Sequence, residues 1–254
     1  MLGLRNLYRV FQESRSAARR RATLAVTGDS PEADTLADLL GAQRNADGAE
    51  AILTVTRTPG GVEVYLSGEA VEGAETVSLS TVSGEAVSGE LAPRISDALE
   101  EDYLIPLGRA YPVLRRAICE EIIRHNARQN AVIGALPIPG ADMPAITANQ
   151  GRMVLGVAAA HGEELSMERA RELVGVLAAG FGFRALSRQL LKLVPVAGWA
   201  AAGVVGYAGT LAMGRAAILY FERGKREPGP EERSEILHRA REEAEAFFAR
   251  IRRR

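Results

Sequence analysis

The stretch of sequence that decides the fold is Leu-Pro-Ile-Pro-Gly-Ala-Asp-Met-Pro-Ala-Ile-Thr-Ala-Asn-Gln-Gly-Arg-Met, residues 136–153. It opens as an apolar turn rich in proline and glycine, which separates one helical pattern from the next. Asp142 is placed to cap the new helix, and Pro144 fits its first turn, where no amide donor is needed. The stretch therefore predicts two helices joined by a reversal.

A second stretch, Leu-Val-Pro-Val-Ala-Gly-Trp (residues 193–199), has the same character and also precedes an apolar helix. Each of these two helices reaches a glycine–arginine pair, at Gly151-Arg152 and at Gly214-Arg215. Two such turns predict a paired helical hairpin in the second half of the chain. Further helices are predicted from Pro112, from Met167 to Leu193, from Gly198 to Phe221, and along a tail stripe of Ile236, Leu237, Ala240, Ala244, Phe247, Phe248 and Ile251.

Several motifs in this half occur in a fixed order. They are Ile138–Asp142, Asn149–Met153, the spaced residues Lys192, Pro195 and Gly198, and a closing Gly214, Arg215, Ala216, Tyr220 and Phe221. Over residues 103–226, this series resembles the helical domain of unknown function 697, the GTPase-associated and YcjF-like group. The resemblance implies a helical domain that often follows a GTPase domain, in a family with many membrane proteins and no established chemistry.

The segment Gly28–Thr35 lies between a predicted strand and a predicted helix, where a nucleotide-binding P-loop would lie. Relative to the G-x-x-x-x-G-K-[ST] pattern, it has Ala33 at the second glycine and Asp34 at the lysine. An aspartate repels the phosphates that a lysine would attract, and the metal-binding and base-reading motifs of GTPases are missing from the sequence. Three interpretations stay open: a GTPase-like domain that has lost nucleotide chemistry, which we favour, an unrelated small α/β domain, and a working nucleotide site.

Strand and helix patterns alternate before the helical half of the chain. Strands are predicted at residues 22–27, 51–56, 62–66 and 76–80, and helices at 31–40 and 90–100. The expected fold class is α+β overall: a small, degenerate GTPase-like α/β domain followed by an all-α helical hairpin domain. The predicted divisions are a basic amphipathic helix at 1–20, the α/β domain at 21–102, the helical domain at 103–226 and an amphipathic C-terminal helix at 227–254.

Composition excludes several classes of site. The chain has 254 residues and a formal charge of −1, so its overall charge does not favour nucleic acid as a partner. Its single cysteine, Cys119, excludes a disulfide framework and is expected to be a small buried hydrophobe. We predict no catalytic residue, no cofactor and no metal site, because the histidines lack metal-ligand spacing and the adjacent acid pairs suit solvated helix faces. These residues are His125, His161, His238, Glu120-Glu121, Glu163-Glu164 and Glu242-Glu243.

The run at residues 193–214 has no charged residue and is long enough to cross a bilayer. Its many small residues also suit close packing between helices. Two interpretations stay open: a buried helix of a soluble or peripheral bundle, which we favour, and membrane insertion as a re-entrant hairpin. Polar residues on these helices either line a site or, as we favour, act as a cap and as interhelical hydrogen-bonding groups; they are Asp142, Gln150, Arg152 and Arg215.

The ends of the chain are basic, with arginines at positions 5, 9, 15, 19–21 and 252–254. Residues 2–18 form an amphipathic pattern that fits both an interfacial membrane helix and a helix docked on the protein's own core; its apolar face holds Leu4, Leu7, Tyr8 and Phe11. Since residues 1–22 lack a sustained apolar segment, we expect a cytoplasmic location. The leading hypothesis is a non-catalytic scaffold at the cytoplasmic membrane face, with a protein partner or self-association, an anionic membrane surface as a candidate partner, and no nucleic acid. The alternatives are a divergent nucleotide-binding GTPase-like switch and a soluble helical oligomerisation module.

Overall fold

The computed structural model describes residues 20–135, 142–164 and 199–251. Both proline-rich turns, the amphipathic pattern at 2–18 and the helix predicted from Met167 lie outside the described residues, apart from the ends of the turns at Asp142 and Trp199. Within the described ranges, a four-stranded mixed sheet is followed by a series of helices. This arrangement confirms the predicted α+β class.

The sheet begins with a strand–helix–strand unit. Its elements are β1 (Leu24–Thr27), α1 (Pro31–Leu40) and β2 (Ala51–Thr58). The two strands pair in parallel, because the chain returns through a helix rather than a tight turn. Ser30 starts α1 by accepting a hydrogen bond from the Ala33 amide at 3.3 Å. Gly41 ends the helix at a φ of +67°, a conformation that glycine adopts without strain.

Two antiparallel strands complete the sheet, in the order β1-β2-β3-β4. They are β3 (Gly61–Ser67) and β4 (Glu75–Leu79). Side chains alternate across these strands, so Val64 and Leu66 are fully buried while Tyr65, between them, is 43% exposed. One face of the sheet therefore contributes to a hydrophobic core, and the other carries mostly polar or exposed side chains.

A helical segment after β4 begins earlier than the sequence predicts. It consists of α2 (Gly84–Ala86), a π-helical turn (Val87–Leu91) and α3 (Ala92–Ala98). Ser83 caps it by accepting a hydrogen bond from the Ala86 amide at 3.2 Å, so a stretch that resembles a polar loop is the start of a helix. The next helix, α4 (Glu101–Ala110), is followed by Tyr111, whose hydroxyl accepts a hydrogen bond from the Leu24 amide at 2.7 Å.

Four longer helices follow in the described part of the chain. They are α5 (Pro112–Ala135), α6 (Asp142–Ala160), α7 (Trp199–Glu222) and α8 (Pro230–Ile251). The predicted start at Pro112 is confirmed, and the predicted inward face of that helix is buried at Leu114, Ile118 and Ile122. The helix α6 ends at Ala160, before a turn in which Gly162 has a φ of +82°.

Contacts divide the chain into two compact units. Among the described residues, the sheet unit contains residues 20–121 and 159–163, and the helical unit contains residues 122–158, 164 and 199–251. The helix α5 contributes its first part to the sheet unit and the rest to the helical unit. Each candidate site lies within one of these units.

Candidate functional site

The loop after β1 is the place where a P-loop would bind phosphate. Gly28 has a φ of +124°, and a Cβ atom there would lie 2.4 Å from the carbonyl oxygen of Val55 on β2. This position requires glycine because the loop packs closely against the neighbouring strand. The glycine that the P-loop pattern shares with this chain therefore has a structural reason of its own.

Arg44 binds this loop. Its guanidinium donates hydrogen bonds to the carbonyl oxygens of Val26 at 2.6 Å and Gly28 at 2.5 Å. Its Nε lies 3.1 Å from a carboxylate oxygen of Asp34, the residue at the P-loop lysine position. The loop thus offers carbonyl oxygens and a carboxylate to a cation, which is the opposite polarity from a phosphate-binding loop.

The first turn of α1 is likewise poorly suited to an anion. Pro31 has no amide hydrogen, and the amides of Ala33 and Asp34 both donate to Ser30. Two carboxylates, Glu32 and Asp34, already lie in this turn, where they interact favourably with the positive end of the helix dipole. A helix N-terminus binds phosphate through available amides and through its dipole. Here Ser30 accepts hydrogen bonds from two of the amides, and two acidic side chains already interact with the dipole.

The helical unit contains a buried cluster of polar side chains, which we call the amide cluster. It joins α5, α6 and α7 and consists of Asn126, Asn130, Asn149, Gln150 and Thr210, each at most 8% exposed. Asn130 is central, since it accepts from Asn149 at 2.9 Å and donates to the Thr210 hydroxyl at 2.9 Å. Gln150 also donates to that hydroxyl, at 3.4 Å, and Thr210 donates to the Gly206 carbonyl. Three helices are therefore held in one register by hydrogen bonds inside an apolar bundle.

One member of the amide cluster retains an unused acceptor. The Nδ2 of Asn126 donates to the Ile122 carbonyl at 2.7 Å, which fixes the orientation of the amide group. Its Oδ1 is buried and has no hydrogen-bond partner among the described residues. Buried polar atoms of this kind are commonly satisfied by an internal water.

The Gly214-Arg215 pair of the family-like motif links α7 to two other helices. A Cβ atom at Gly214 would lie 2.4 Å from Ile123 on α5, so only glycine allows this approach. Arg215, which is half-buried, donates to Glu243 on α8 at 2.5 Å. The same carboxylate lies 3.9 Å from Arg124 on α5. The motif thus combines a close helix contact with a charge-assisted bond, and both serve packing.

Of the four polar residues singled out in the sequence, Gln150 and Arg215 make interhelical hydrogen bonds, as the favoured interpretation requires. They have different partners, so the structure does not join them in one cluster. Arg152 is half-buried on α6. The sequence predicts that Asp142 caps α6, but its side chain is not among the side chains that the structure describes.

The expectation that the adjacent acid pairs form solvated faces is wrong for two residues. Glu121 is 7% exposed, and Glu243 is half-buried between two arginines. Cys119 is fully buried, which confirms the prediction, and its sulfur lies 3.9 Å from Nδ1 of His161. The described ranges hold no group of three histidine, cysteine or acidic side chains that could hold a metal ion.

The sequence interpretation missed the residues that organise both units, namely Arg44, Asn130 and Glu243. Asn126 and Asn130 stand four residues apart on α5, a spacing that places two amides on one helix face and could have indicated the amide cluster. No local pattern indicates the pairing of Arg44 with Asp34 or of Arg215 with Glu243, because these partners meet only in the folded chain.

Comparisons with known proteins place the helical part in a family. No curated protein and no solved structure gives a significant match to this chain. A family model described as a domain of unknown function, DUF697, matches residues 112–245, just over half of the chain and including most of the helical unit. The chain therefore belongs to the DUF697 family.

Proposed function

We propose that this protein is a non-catalytic scaffold or adaptor that acts at the cytoplasmic face of a membrane. In this proposal, the sheet unit is a GTPase-like domain without nucleotide chemistry, at the place where the family that the helical motifs resemble often has a GTPase domain. The helical unit provides a binding surface for a protein partner or for a second copy of the chain.

The observation that carries the proposal is the position of Arg44. Its guanidinium binds the carbonyl oxygens of Val26 and Gly28 and the carboxylate of Asp34, where a working loop would hold phosphates. A nucleotide would have to displace these contacts and then face the negative charge of Asp34. This polarity favours a domain used for binding over a nucleotide switch, the runner-up function.

The helical unit supports the same conclusion through its packing. The amide cluster and the Arg215–Glu243 pair join four helices, and the described hydrogen bonds of Asn130, Asn149 and Arg215 are made within the protein. Such networks specify one arrangement of helices, which suits a rigid platform for a partner.

Membrane association is the second part of the proposal. Gly203–Glu222 on α7 is long and apolar enough to cross a bilayer, with a mean hydropathy of 1.3, but 67% of its apolar window is buried within the chain. By length and composition alone, the core helix of a soluble protein has the same properties. We therefore propose peripheral attachment through the basic ends rather than insertion of α7. The burial of α7 also favours the alternative of a soluble helical oligomerisation module.

Cell fractionation with carbonate and detergent tests this assignment. A scaffold attached at the membrane surface should sediment with membranes and be released by carbonate. Release by detergent alone would identify an integral protein and overturn the peripheral assignment. Recovery in the soluble fraction under all conditions would remove the membrane from the proposal and support the soluble module.

A further inference from the structure

A groove with a volume of 840 Å³ lies among α5, α7 and α8 in the helical unit. Two groups of side chains line it, a basic group that we call the rim and an apolar group that we call the floor. They are Arg124, Arg128 and Arg250, and Tyr207, Phe247 and Ile251.

The floor of the groove is aromatic and partly open to solvent. The rings of Tyr207 and Phe247 stack with their centroids 4.6 Å apart, and Ile251 is 54% exposed. Burial raises the pKa of the Tyr207 hydroxyl, and the nearby Glu243 carboxylate raises it further. The hydroxyl is therefore neutral at physiological pH and can donate a hydrogen bond to a ligand in the groove.

The rim is positively charged. Among the described lining residues, Glu243 is the acidic one; it lies 2.5 Å from Arg215 and 3.9 Å from Arg124, and these pairings offset its charge. Elsewhere on α8, Arg239 and Arg241 pair with Glu235 and Glu245 one helical turn away. Arg250, by contrast, is exposed and has no ion pair among the described residues.

We propose that this groove binds a single acidic phospholipid, with the phosphate headgroup on the rim arginines and the first part of an acyl chain on Tyr207, Phe247 and Ile251. The inference rests on the proposed membrane role and names its ligand. Arginine binds phosphate through paired donors, and an apolar aromatic floor binds hydrocarbon. The groove volume lies within the range of small-molecule sites, about 300–1,000 Å³, and its adjacent basic and apolar side chains match the two parts of one amphiphile.

Titration calorimetry on the full chain tests the proposal, with dioctanoyl phosphatidylglycerol kept below its micelle concentration. Dioctanoyl phosphatidylcholine has the same chains without net charge, and glycerol phosphate has the charge without chains. Because each basic residue near an anionic headgroup contributes a factor of about five to binding, Arg250→Gln should weaken the affinity about fivefold. Arg239→Gln removes the same charge from the same helix outside the groove and should leave the affinity unchanged. Ile251→Asn tests the floor at an exposed position, where folding is preserved.

The expected result is saturable binding of one phosphatidylglycerol, at least tenfold tighter than binding of phosphatidylcholine or glycerol phosphate, and weakened by both groove variants. Equal losses in Arg250→Gln and Arg239→Gln would indicate diffuse charge attraction and overturn the proposal. So would an unchanged affinity in Ile251→Asn, an absence of lipid binding, or preference for an acidic amphipathic peptide. Vesicle flotation of the same variants separates the two proposals: if the chain floats but binds no lipid monomer, the groove assignment fails and the membrane role stands.

Discussion

The guanidinium of Arg44 lies 3.1 Å from the carboxylate of Asp34, at the position where a P-loop would carry its lysine. Since Arg44 also binds the carbonyl oxygens of Val26 and Gly28, it links the end of β1, the following loop and the first turn of α1. The aspartate that departs from the nucleotide-binding pattern thus has a structural partner. The loop is stabilised by its own charges and does not need a phosphate ligand to order it.

We expect no binding of GTP or ATP in calorimetry at physiological nucleotide concentrations, with or without magnesium. The reason is electrostatic: the triphosphate would meet Asp34 and would compete with it and with the loop carbonyls for Arg44. Gly28→Val is a poor test, because its side chain would clash with Val55 and impair folding. Micromolar binding by the natural chain that is lost in Ser30→Ala, a change confined to the helix cap, would contradict this prediction.

A methyl group at Gly214 should destabilise the helical unit by about 1–3 kcal/mol, the range for overpacking a core. The added Cβ would lie within 2.8 Å of three atoms of Ile123, and that residue is fully buried. Urea denaturation of Gly214→Ala measures the loss. The double variant Gly214→Ala, Ile123→Val removes one of the clashing methyl groups and should recover part of it.

Gly151 provides the matched control for this substitution. It also lies inside a helix and precedes an arginine, but a Cβ atom there would meet nothing within 4 Å. Gly151→Ala should therefore stabilise the protein by about 0.5–1 kcal/mol, because alanine loses less backbone entropy than glycine. Equal destabilisation by the two alanines would contradict the close contact between α5 and α7.

The amide cluster predicts a second stability effect. Thr210→Val keeps the shape of the side chain but removes the hydroxyl that accepts from Asn130 and Gln150. Since buried donors would lose their partner, we expect a loss of about 1–3 kcal/mol in the free energy of unfolding. In a double-mutant cycle with Asn130→Leu, the double variant should lose less stability than the two single variants lose together, because Asn130 and Thr210 share one hydrogen bond. Additive losses would show that they act independently.

The free energy of unfolding should depend on pH through Glu232, which lies in the first turn of α8. A hydrogen bond from the Gly229 amide at 2.8 Å, together with the neighbouring Arg223, holds the pKa of Glu232 below its ordinary value of 4.5. Because the folded pKa is the lower one, the stabilisation is complete above pH 4.5 and is lost as the pH falls through the folded value.

Melting curves of the natural chain and of Glu232→Gln measure this dependence. Their melting temperatures should differ most near neutral pH and converge in acid. Glu231→Gln is the control, since Glu231 also lies in the first turn of α8 but has neither contact among the described residues. A difference for Glu232→Gln that stays constant down to pH 2 would contradict the assignment.

The elements that sequence predicts well here are those with a strong local signal. Local patterns predict the start of α5 at Pro112, the helix at 31–40 and the strand at 62–66, because each depends on neighbouring residues alone. The sites are different. Arg44 and Glu243 acquire their roles from partners many residues away, and neither has a distinctive local pattern. The polar start of α2 was missed for a related reason, since a cap and a loop use the same residue types.

The last prediction concerns how the protein reaches a membrane. If the basic ends attach it, the chain should float with vesicles that contain acidic phospholipid, and salt should release it. Each basic residue near an anionic surface contributes about 1 kcal/mol, and the attraction decays within about 10 Å at 0.1 M salt. Six of these arginines lie at positions 5, 9, 15 and 19–21.

Deleting residues 1–20, which removes five of these six arginines, should then abolish flotation. Replacing Leu4, Leu7 and Phe11 by serine should weaken it less, since that variant keeps the charge. The burial of α7 within the helical unit is the reason to expect salt sensitivity, because a helix already packed against α5 and α8 has little apolar surface left for lipid. Salt-resistant flotation that survives the deletion would mean that α7 leaves the bundle and inserts. In that case the amide cluster would have to open, and Asn130 and Thr210 would lose the bond that joins their helices.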